Sequence, residues 1–532
     1  MLPPVIRKVY PRASDNRQPV SHPAVRTSRI SFFKAAALNF AILQLLFLGL
    51  FSYLFGSLFQ QPTRTHGLRI LWVDYDGGAI GDAVRGAYSS LKSESYPTIV
   101  EHSAADYQSE TDLREAVCNT NYWAALYTVP GASERLVDAI SGSTSQYNSS
   151  NALFYIWNEA RYPTVVDAAI SGSLVSLSNT ARAAYMKSNS SFALDAMPAN
   201  DSAALLAFSN PWLLSSINIQ PTTQGARVVY NTISIVLILI QDFFFLAHIN
   251  GLYAQHKIYT RIWPTRIIIT RDLISGTFTM VGSLLISAVI WAFKGNWDVS
   301  GKQFAINWMI LWLFSHVNFM AIDVFTIWVP PQYVPMMLIT WIVTNVTSII
   351  LPFALSSPFY RWGYALPAHA VYEILTDNWS SGCNPHLHFA LPILFAYEVI
   401  GLVLTTIGVY RRCHLAVEAE EAGQEAMRLR VEVAVKKERE QARLEILNDL
   451  GNNEQGSSRE TGDVLARSRT RRSSYREGPP SERDPAQTEK DNEESLERNI
   501  ESMDNEIVRM ETYASQGRNL GPSFRLVGSN PN

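Results

Sequence analysis

The chain has 532 residues, a formal net charge of −3 and 47% hydrophobic residues. Its mean hydropathy of +0.01 averages apolar stretches that are long enough to cross a bilayer with strongly hydrophilic regions. This segmentation excludes a soluble enzyme, and the net charge by itself predicts no partner.

The first predicted transmembrane helix spans residues 35–59, about 25 residues at a rise of about 1.5 Å each. The preceding basic arm, residues 1–34, carries seven lysines and arginines against a single aspartate. Basic residues close to a span stay in the cytoplasm. We therefore expect a cytoplasmic N terminus and an extracytoplasmic location for residues 60–227.

Residues 60–227 are predicted to form an α/β domain. Strand patterns at Leu68–Val73, Trp123–Val129 and Leu153–Trp157 alternate with helical patterns such as Ile80–Leu91. The segment is net acidic, with 10 Lys and Arg against 15 Asp and Glu. We expect a glycan on at least one of its three Asn-x-Ser sequons, which begin at Asn148, Asn189 and Asn200.

The sharpest local motif is the strand end Asp74-Tyr75-Asp76-Gly77-Gly78. A similar aspartate pair begins the haloacid-dehalogenase phosphatases, where it acts as nucleophile and acid/base beside magnesium. However, Gly78 stands where that family has Thr or Val, and no later strand ends in an acidic pair. The preferred interpretation is structural: Asp74 and Asp76 cap the helix that begins at Ile80 and shape the Gly77-Gly78 turn.

Five further spans are predicted between residues 228 and 410, which gives six spans with both termini cytoplasmic. Basic residues cluster in the 248–272 loop and directly after the last span, and both clusters fit a cytoplasmic location. The five spans are Val228–Ala247, Leu273–Phe293, Phe304–Val329, Met336–Leu355 and Phe389–Tyr410.

Ionisable side chains inside these spans form a candidate pathway, because each costs about 2.5–3.5 kcal/mol on insertion scales. Glu398 lies on an otherwise apolar helix and is the best candidate for a proton or solute pathway. For Asp242 and Asp323 we favour contact with interfacial water or with a basic residue of the 248–272 loop. For His316 we favour a hydrogen bond within the helix bundle.

Residues 356–388 are too polar to cross the membrane and too apolar for a free loop. An apolar stretch at Ala368–Leu375 predicts a short re-entrant or interfacial helix. Asn378 heads a fourth sequon close to the expected membrane surface, so we expect it to remain unmodified. The residues that lead into this helix include Arg361, Gly363, Tyr364 and Pro367.

The chain has three cysteines. Cys118 and Cys383 both fall on the extracytoplasmic side of the predicted topology, where a disulfide is permitted. Two free, partly buried thiols are nevertheless the interpretation that we prefer. Cys413 follows two arginines at the inner membrane surface, a position at which S-acylation occurs.

Residues 411–450 are predicted to form a long cytoplasmic helix. Lys436, Lys437 and Glu440 interrupt its heptad pattern, so the sequence favours a short coiled coil and a solvated helix equally. Residues 451–532 are rich in Ser, Arg, Glu, Gly, Asn and Pro, which predicts a disordered tail.

The order of these elements resembles the layout of ABC-2-type permeases. Two segments, Val73–Gly81 and Phe359–Pro367, more specifically resemble the fungal nitrosoguanidine-resistance membrane protein family, and the similarity covers about residues 30–415. The resemblance implies a role in export of toxic small molecules, or tolerance to them, and in plasma-membrane lipid organisation. It supplies no catalytic residues.

We therefore expect a polytopic α-helical protein of the plasma membrane that is not an enzyme and binds no cofactor, metal or nucleic acid. No Gly-x-x-x-x-Gly-Lys-Ser/Thr loop is present, so ATP-driven transport would need another subunit. The expected partners are membrane lipids and a lipophilic small-molecule substrate, with homo-oligomers left open. Two alternatives remain: a scaffold or receptor with a recruiting tail, and a phosphatase built on Asp74 and Asp76.

Overall fold

A computed structural model describes most of the chain. Most of the basic arm, much of the tail and the predicted start of the second span at Val228 lie outside the described residues. The described residues are 19, 22, 23, 26–144, 146–222, 232–295, 297–456, 498, 502, 503 and 505–511. The chain divides into two compact units, the first made of Met1–Phe244, Ile274–Phe325 and Tyr333–Leu402, the second of Phe245–Leu273, Thr326–Gln332 and Val403–Asn532.

The described residues contain six helices that are long and apolar enough to cross a membrane. This confirms a polytopic α-helical membrane protein. Backbone N–H and C=O groups in the core of a bilayer have no water to bond, and a helix pairs these groups within one segment. The six helices are α1 (Arg26–Leu58), α9 (Ser234–Gln255), α11 (Pro264–Ala292), α12 (Gly301–Trp328), α13 (Val334–Ile350) and α15 (Leu387–Gly456).

Several helices continue beyond the predicted spans. The 248–272 loop shrinks to residues 256–263, because α9 ends at Gln255 and α11 begins at Pro264, and it holds the short helix α10 (Ile258–Arg261). Arg271, which we expected in the loop, lies inside α11 and is 3% exposed. Its guanidinium donates a 3.0 Å hydrogen bond to Oδ1 of Asn250, so this arginine is paired within the protein.

A five-stranded sheet forms the core of the α/β domain between α1 and α9. Its strand order is β2-β1-β3-β4-β5. β4 runs antiparallel to β3, and the other neighbouring strands are parallel. The strands are β1 (Arg69–Asp74), β2 (Thr98–His102), β3 (Ala124–Thr128), β4 (Leu153–Trp157) and β5 (Leu214–Asn218).

Helices cover both faces of this sheet. Because successive strand residues point to opposite faces, Ile70 and Trp72 pack into one core cluster while Leu71 and Val73 pack into a second one. α2 (Ala79–Leu91), α4 (Ala132–Ile140) and α6 (Gly172–Ser188) contribute to the first cluster, and α3 (Glu110–Cys118) to the second. The remaining helices of the domain are α5 (Pro163–Val165), α7 (Ser190–Ala196) and α8 (Ser202–Ser209).

The segment before the last long helix folds as a 3₁₀ turn at Pro358–Ala365 followed by α14 (Pro367–Trp379). Eleven of the 13 residues of α14 are buried. Protein therefore surrounds this helix on nearly all sides, and its re-entrant or interfacial placement stays a prediction. Asn345 of α13 fixes its first turn, since its Oδ1 accepts a 3.2 Å hydrogen bond from the Ala368 N–H.

A disulfide joins the α/β domain to the loop after α14. Cys118 ends α3 and is bonded to Cys383, 265 positions later in the chain. The preferred interpretation of two free thiols is thus wrong. Sequence spacing carried no information on this pairing, because it depends on where the domain docks.

We predict that Cys118→Ser destabilises the protein, because a cross-link that closes a long loop contributes about 2–4 kcal/mol. Thermal unfolding of the purified protein in detergent should show a lower midpoint. Cys413→Ser, which removes a free thiol, is the matched control and should leave the midpoint unchanged. Alkylation of both Cys118 and Cys383 without prior reduction would contradict the disulfide.

Candidate functional site

Asp242 of α9 is fully enclosed by polar partners on α12. It is 1% exposed. Its carboxylate accepts hydrogen bonds from Ser315 Oγ at 2.9 Å and from Asn318 Nδ2 at 3.0 Å. The predicted contact with interfacial water or with a basic residue of the 248–272 loop is wrong, because side chains of α12 supply the hydrogen bonds to this carboxylate. Asp323 is also 1% exposed, so it does not reach interfacial water either.

His316 of α12 and Glu398 of α15 pair with each other, and we call them the His316–Glu398 couple. His316 Nδ1 lies 2.6 Å from Glu398 Oε1, and His316 Nε2 lies 3.3 Å from Ser275 Oγ of α11. The two side chains remain 14% and 15% exposed. Glu398 Oε2 has no hydrogen-bond partner within the described part of the chain. The couple therefore keeps a buried, unpaired acceptor that the Asp242 cluster lacks.

The position of this couple matters as much as its geometry. Glu398 is the twelfth residue of α15, which places it about 16 Å along a helix that crosses a hydrocarbon core of about 30 Å. A short contact between an imidazole nitrogen and a carboxylate oxygen is a charge-assisted hydrogen bond along which a proton can be exchanged. The arrangement can hold or pass a proton.

A second polar cluster, the outer junction, joins α14 to the α/β domain. It is built on Glu373, whose Oε2 accepts a 2.7 Å hydrogen bond from Asn384 Nδ2 and lies 2.6 Å from His386 Nδ1. His386 Nε2 in turn lies 3.1 Å from Thr120 Oγ1 of the domain. Burial raises the pKa of Glu373, but the His386 hydrogen bond and the nearby charges of His369 and Arg161 outweigh it and lower the pKa to about 2.

Arg161 and Tyr162 bring the domain onto this cluster. The Arg161 guanidinium lies 3.9 Å from the centroid of the Trp123 ring, and burial lowers its pKa against the opposing charge of Glu373. Tyr162 has a left-handed backbone at φ 53°, a strained conformation for a residue with a side chain. Its N–H donates a 3.0 Å hydrogen bond to Tyr372 Oη of α14, which holds that conformation.

The outer junction was missed in the sequence, because Glu373 stands inside an apolar stretch and its partners come from distant segments. Within the described residues, several of its buried polar atoms lack a protein hydrogen-bond partner. They are Arg161 Nε, Tyr162 Oη, His369 Nε2 and Asn384 Oδ1. Buried polar groups are normally paired, and one of these four atoms, His369 Nε2, still lies 3.5 Å from Glu373 Oε1.

The Asp74-Asp76 turn is structural. Asp74 Oδ1 accepts from the Gly77 N–H at 3.0 Å and from Thr128 Oγ1 at 2.5 Å, and its Oδ2 lies 2.7 Å from Arg85. Asp76 accepts from the Ser133 N–H at the start of α4. The aspartates shape the turn as predicted, but Asp76 caps α4 and not the helix that begins at Ala79. Both oxygens of Asp74 are engaged by groups of the protein.

Close approach explains two glycines of the sequence motifs. A Cβ on Gly81 would lie 1.9 Å from Asp74 Oδ2, and a Cβ on Gly363 would lie 2.6 Å from the Phe353 ring. Among the other residues of the predicted re-entrant segment, Arg361 and Tyr364 are exposed and Pro367 begins α14. Tyr364 reaches the Glu373 cluster, because its ring meets the His369 ring edge-on at 4.9 Å.

The sequons differ in accessibility. Asn148 and Asn200 are exposed, whereas Asn189 is half-buried and donates to Tyr185 O. Asn378 donates a 3.0 Å hydrogen bond to Gln303 O, and the hydroxyl of its sequon partner Ser380 is buried and bonded to Thr376 O. Glycosylation of the domain sequons and its absence at Asn378 stay predictions.

Comparisons with known proteins bear on this architecture. A family model described as "Protein of unknown function (DUF3533)" matches residues 39–403. The chain belongs to this family. It is also 22% identical over 280 residues to an uncharacterized endoplasmic reticulum membrane protein of Saccharomyces cerevisiae, a match that covers 49% of this chain and 53% of that protein. The chain thus spans about half the length of this relative.

No solved structure matches the chain. The family match covers the long helices through residue 403, the α/β domain and α14, so both polar clusters lie inside it. The matches do not extend to the nitrosoguanidine-resistance family or to ABC-2 permeases, which stay predictions.

We predict that the outer junction makes stability acid-sensitive. Because the pKa of Glu373 is lowered from 4.5 to about 2, the carboxylate stabilises the fold above about pH 4.5. This stability, a few kcal/mol, is lost as the pH falls towards the folded-state pKa. The unfolding midpoint should therefore drop between about pH 5 and about pH 3.

Glu373→Gln should lower the midpoint at neutral pH, because it leaves the partners of a buried charge unpaired, and should flatten the acid-dependent drop. Glu115→Gln, at an exposed site on α3, should retain the drop of the unmodified protein. An equally steep drop in Glu373→Gln would assign the acid sensitivity to other groups.

Proposed function

We propose that this chain is a permease-like membrane protein that moves lipophilic small molecules or lipids, with the His316–Glu398 couple as its proton-handling site. The observation that carries the proposal is the free Oε2 of Glu398 near the middle of a membrane-spanning helix. An ionisable group at that depth is a functional candidate by default, because its insertion is unfavourable.

The contrast with Asp242 supports a functional role for the couple. Asp242 is fully buried and both of its oxygens accept hydrogen bonds from α12, which is how polar residues hold membrane helices together. Glu398 retains an unpaired, buried oxygen on a side chain that is partly exposed. A purely structural carboxylate has no need of either.

The proposal includes a non-enzymatic mode of action, membrane lipids as partners and an extracytoplasmic α/β domain. The orientation is supported by the Cys118–Cys383 disulfide, since such bonds persist in oxidising compartments, and by the basic arm before α1. The plasma-membrane assignment rests on the family resemblance. The name of the yeast relative favours the endoplasmic reticulum, whose lumen is also oxidising.

We predict that a gene carrying Glu398→Gln cannot replace the unmodified gene in cells. Cells that lack the gene should become more sensitive to lipophilic toxicants or should lose the normal lipid distribution between leaflets, and the unmodified gene should restore both. Glu398→Gln should fail to restore them at equal protein abundance, because the amide cannot carry the proton. Growth in a toxicant series and a leaflet-specific lipid label measure the two readouts.

Glu418→Gln is the matched control. Glu418 lies on the same helix and also pairs with a histidine, His414 at 3.1 Å, but both side chains are well exposed. This variant should restore the phenotype fully. Full restoration by Glu398→Gln as well, or no phenotype on deletion of the gene, would remove the support for the proposal.

A scaffold remains the second candidate function, because α15 continues to Gly456, far beyond the length of a span. Residues 505–511 are helical and lie against it, with a 2.6 Å ion pair between Arg430 and Glu511. The disordered tail stays a prediction. A scaffold would lose function on deletion of residues 457–532 and would tolerate Glu398→Gln and Asp242→Asn, the reverse of what a permease predicts.

A further inference from the structure

We infer that the α/β domain carries a binding site for a small soluble organic cation, a methylated or quaternary ammonium compound. The site is an aromatic cavity of about 310 Å³ at the carboxyl ends of β1 and β3. It does not involve the membrane helices, and it is separate from the couple on which the proposed function rests.

Three aromatic rings line this cavity. Tyr127 and Phe154 are direct cross-strand neighbours on β3 and β4, with ring centroids 5.7 Å apart and planes 16° apart. Tyr75, just after β1, meets Tyr127 edge-on at 6.1 Å. Several aromatic rings around one small space form the usual receptor for an ammonium ion that carries methyl groups, because each ring quadrupole attracts the cation.

The charge of the cavity has the sign that a cation requires. Glu110 lines it, and its Oε2 accepts a 2.9 Å hydrogen bond from Tyr127 Oη. Burial is the largest cause that raises the pKa of Tyr75. The charges of Asp112 and Glu110 raise it further, so both carboxylates act on this space. Among the residues that the structure describes, no Lys or Arg lines the cavity. The nearby Arg135 guanidinium donates hydrogen bonds to the backbone oxygens of two lining residues, Pro130 at 2.8 Å and Asn151 at 3.1 Å.

The amino end of α3 also borders the cavity, and a helix N terminus alone would favour an anion. Here that end is already neutralised. Asp112 Oδ2 accepts from the N–H groups of Gln108 and Ser109, both at 2.9 Å, and Ser109 Oγ accepts from the Asp112 N–H. Two N–H groups at this end are thus occupied by a carboxylate of the protein, and the Asp112 N–H is occupied by the Ser109 hydroxyl.

The placement of the cavity favours a soluble ligand over a lipid headgroup of the same membrane. β1 begins two residues after Gly67, which packs against the backbone of Ala354 next to α13. The cavity lies at the opposite end of β1, about 20 Å away. Likewise, α3 ends at Cys118, which is tied to the loop after α14, and begins at the cavity. The volume lies at the small end of the range for ligand sites.

The test is isothermal titration calorimetry of the full-length protein in nanodiscs, with tetramethylammonium chloride and choline chloride as probes and sodium chloride at matched ionic strength as the blank. Both probes should bind saturably at millimolar or lower concentration. The neutral isostere of choline, 3,3-dimethyl-1-butanol, should bind at least about tenfold more weakly, because it lacks the charge that the rings and Glu110 attract.

Glu110→Gln should weaken choline binding about tenfold without affecting folding, because the amide oxygen still accepts the Tyr127 hydrogen bond. Phe154→Leu should weaken it by a similar factor through loss of a ring. Glu115→Gln, on the exposed side of the same helix, should bind like the unmodified protein.

Absence of saturable binding by both probes would overturn the inference, and so would equal affinity in all variants. Choline binding that is lost in phosphatidylcholine nanodiscs but present in phosphatidylglycerol nanodiscs would identify a lipid headgroup as the occupant and overturn the assignment to a soluble cation. None of these outcomes depends on whether Glu398→Gln restores transport, so the two proposals fail separately.

Discussion

A buried carboxylate must be paired, and Glu373 of α14 meets this requirement with groups from outside its own helix. Asn384 and His386 reach it from the loop after α14, and His386 also contacts Thr120 of the α/β domain. The disulfide partner Cys383 lies in the same loop. One buried charge therefore fixes the position of α14, of the loop that follows it and of the domain that docks on it.

Two other polar groups lie in the same compact unit, and the difference in their hydrogen bonding supports the proposed function. Asp242 is saturated by hydrogen bonds and excluded from solvent. The His316–Glu398 couple is partly open and has an unused oxygen. Helix association explains the first setting. The second retains the capacity to accept a proton or to contact a moving molecule, which is what a permease requires at mid-membrane depth.

The sequence predicted what depends on local pattern. The six long helices follow from apolar length, and β1, β3 and β4 follow from buried apolar runs in Leu68–Val73, Trp123–Val129 and Leu153–Trp157. The edge strands β2 and β5 were missed, because they have the length of β3 and β4 but are only partly buried and lack a continuous apolar run. No local pattern encodes the remaining contacts. The disulfide joins residues 265 positions apart, and the His316–Glu398 pair joins residues 82 positions apart. The Glu373 cluster depends on burial that only the tertiary structure creates.

The most direct measurement of the central claim is the water accessibility of position 398. In a Cys413→Ser background with the Cys118–Cys383 disulfide intact, Glu398→Cys provides a single free thiol. A small, membrane-impermeant methanethiosulfonate reagent should modify it in the folded protein, while Leu394→Cys, one turn away on α15 and fully buried, should stay unmodified. Protection of both thiols in the folded protein, with full modification after unfolding, would contradict a polar path that reaches Glu398.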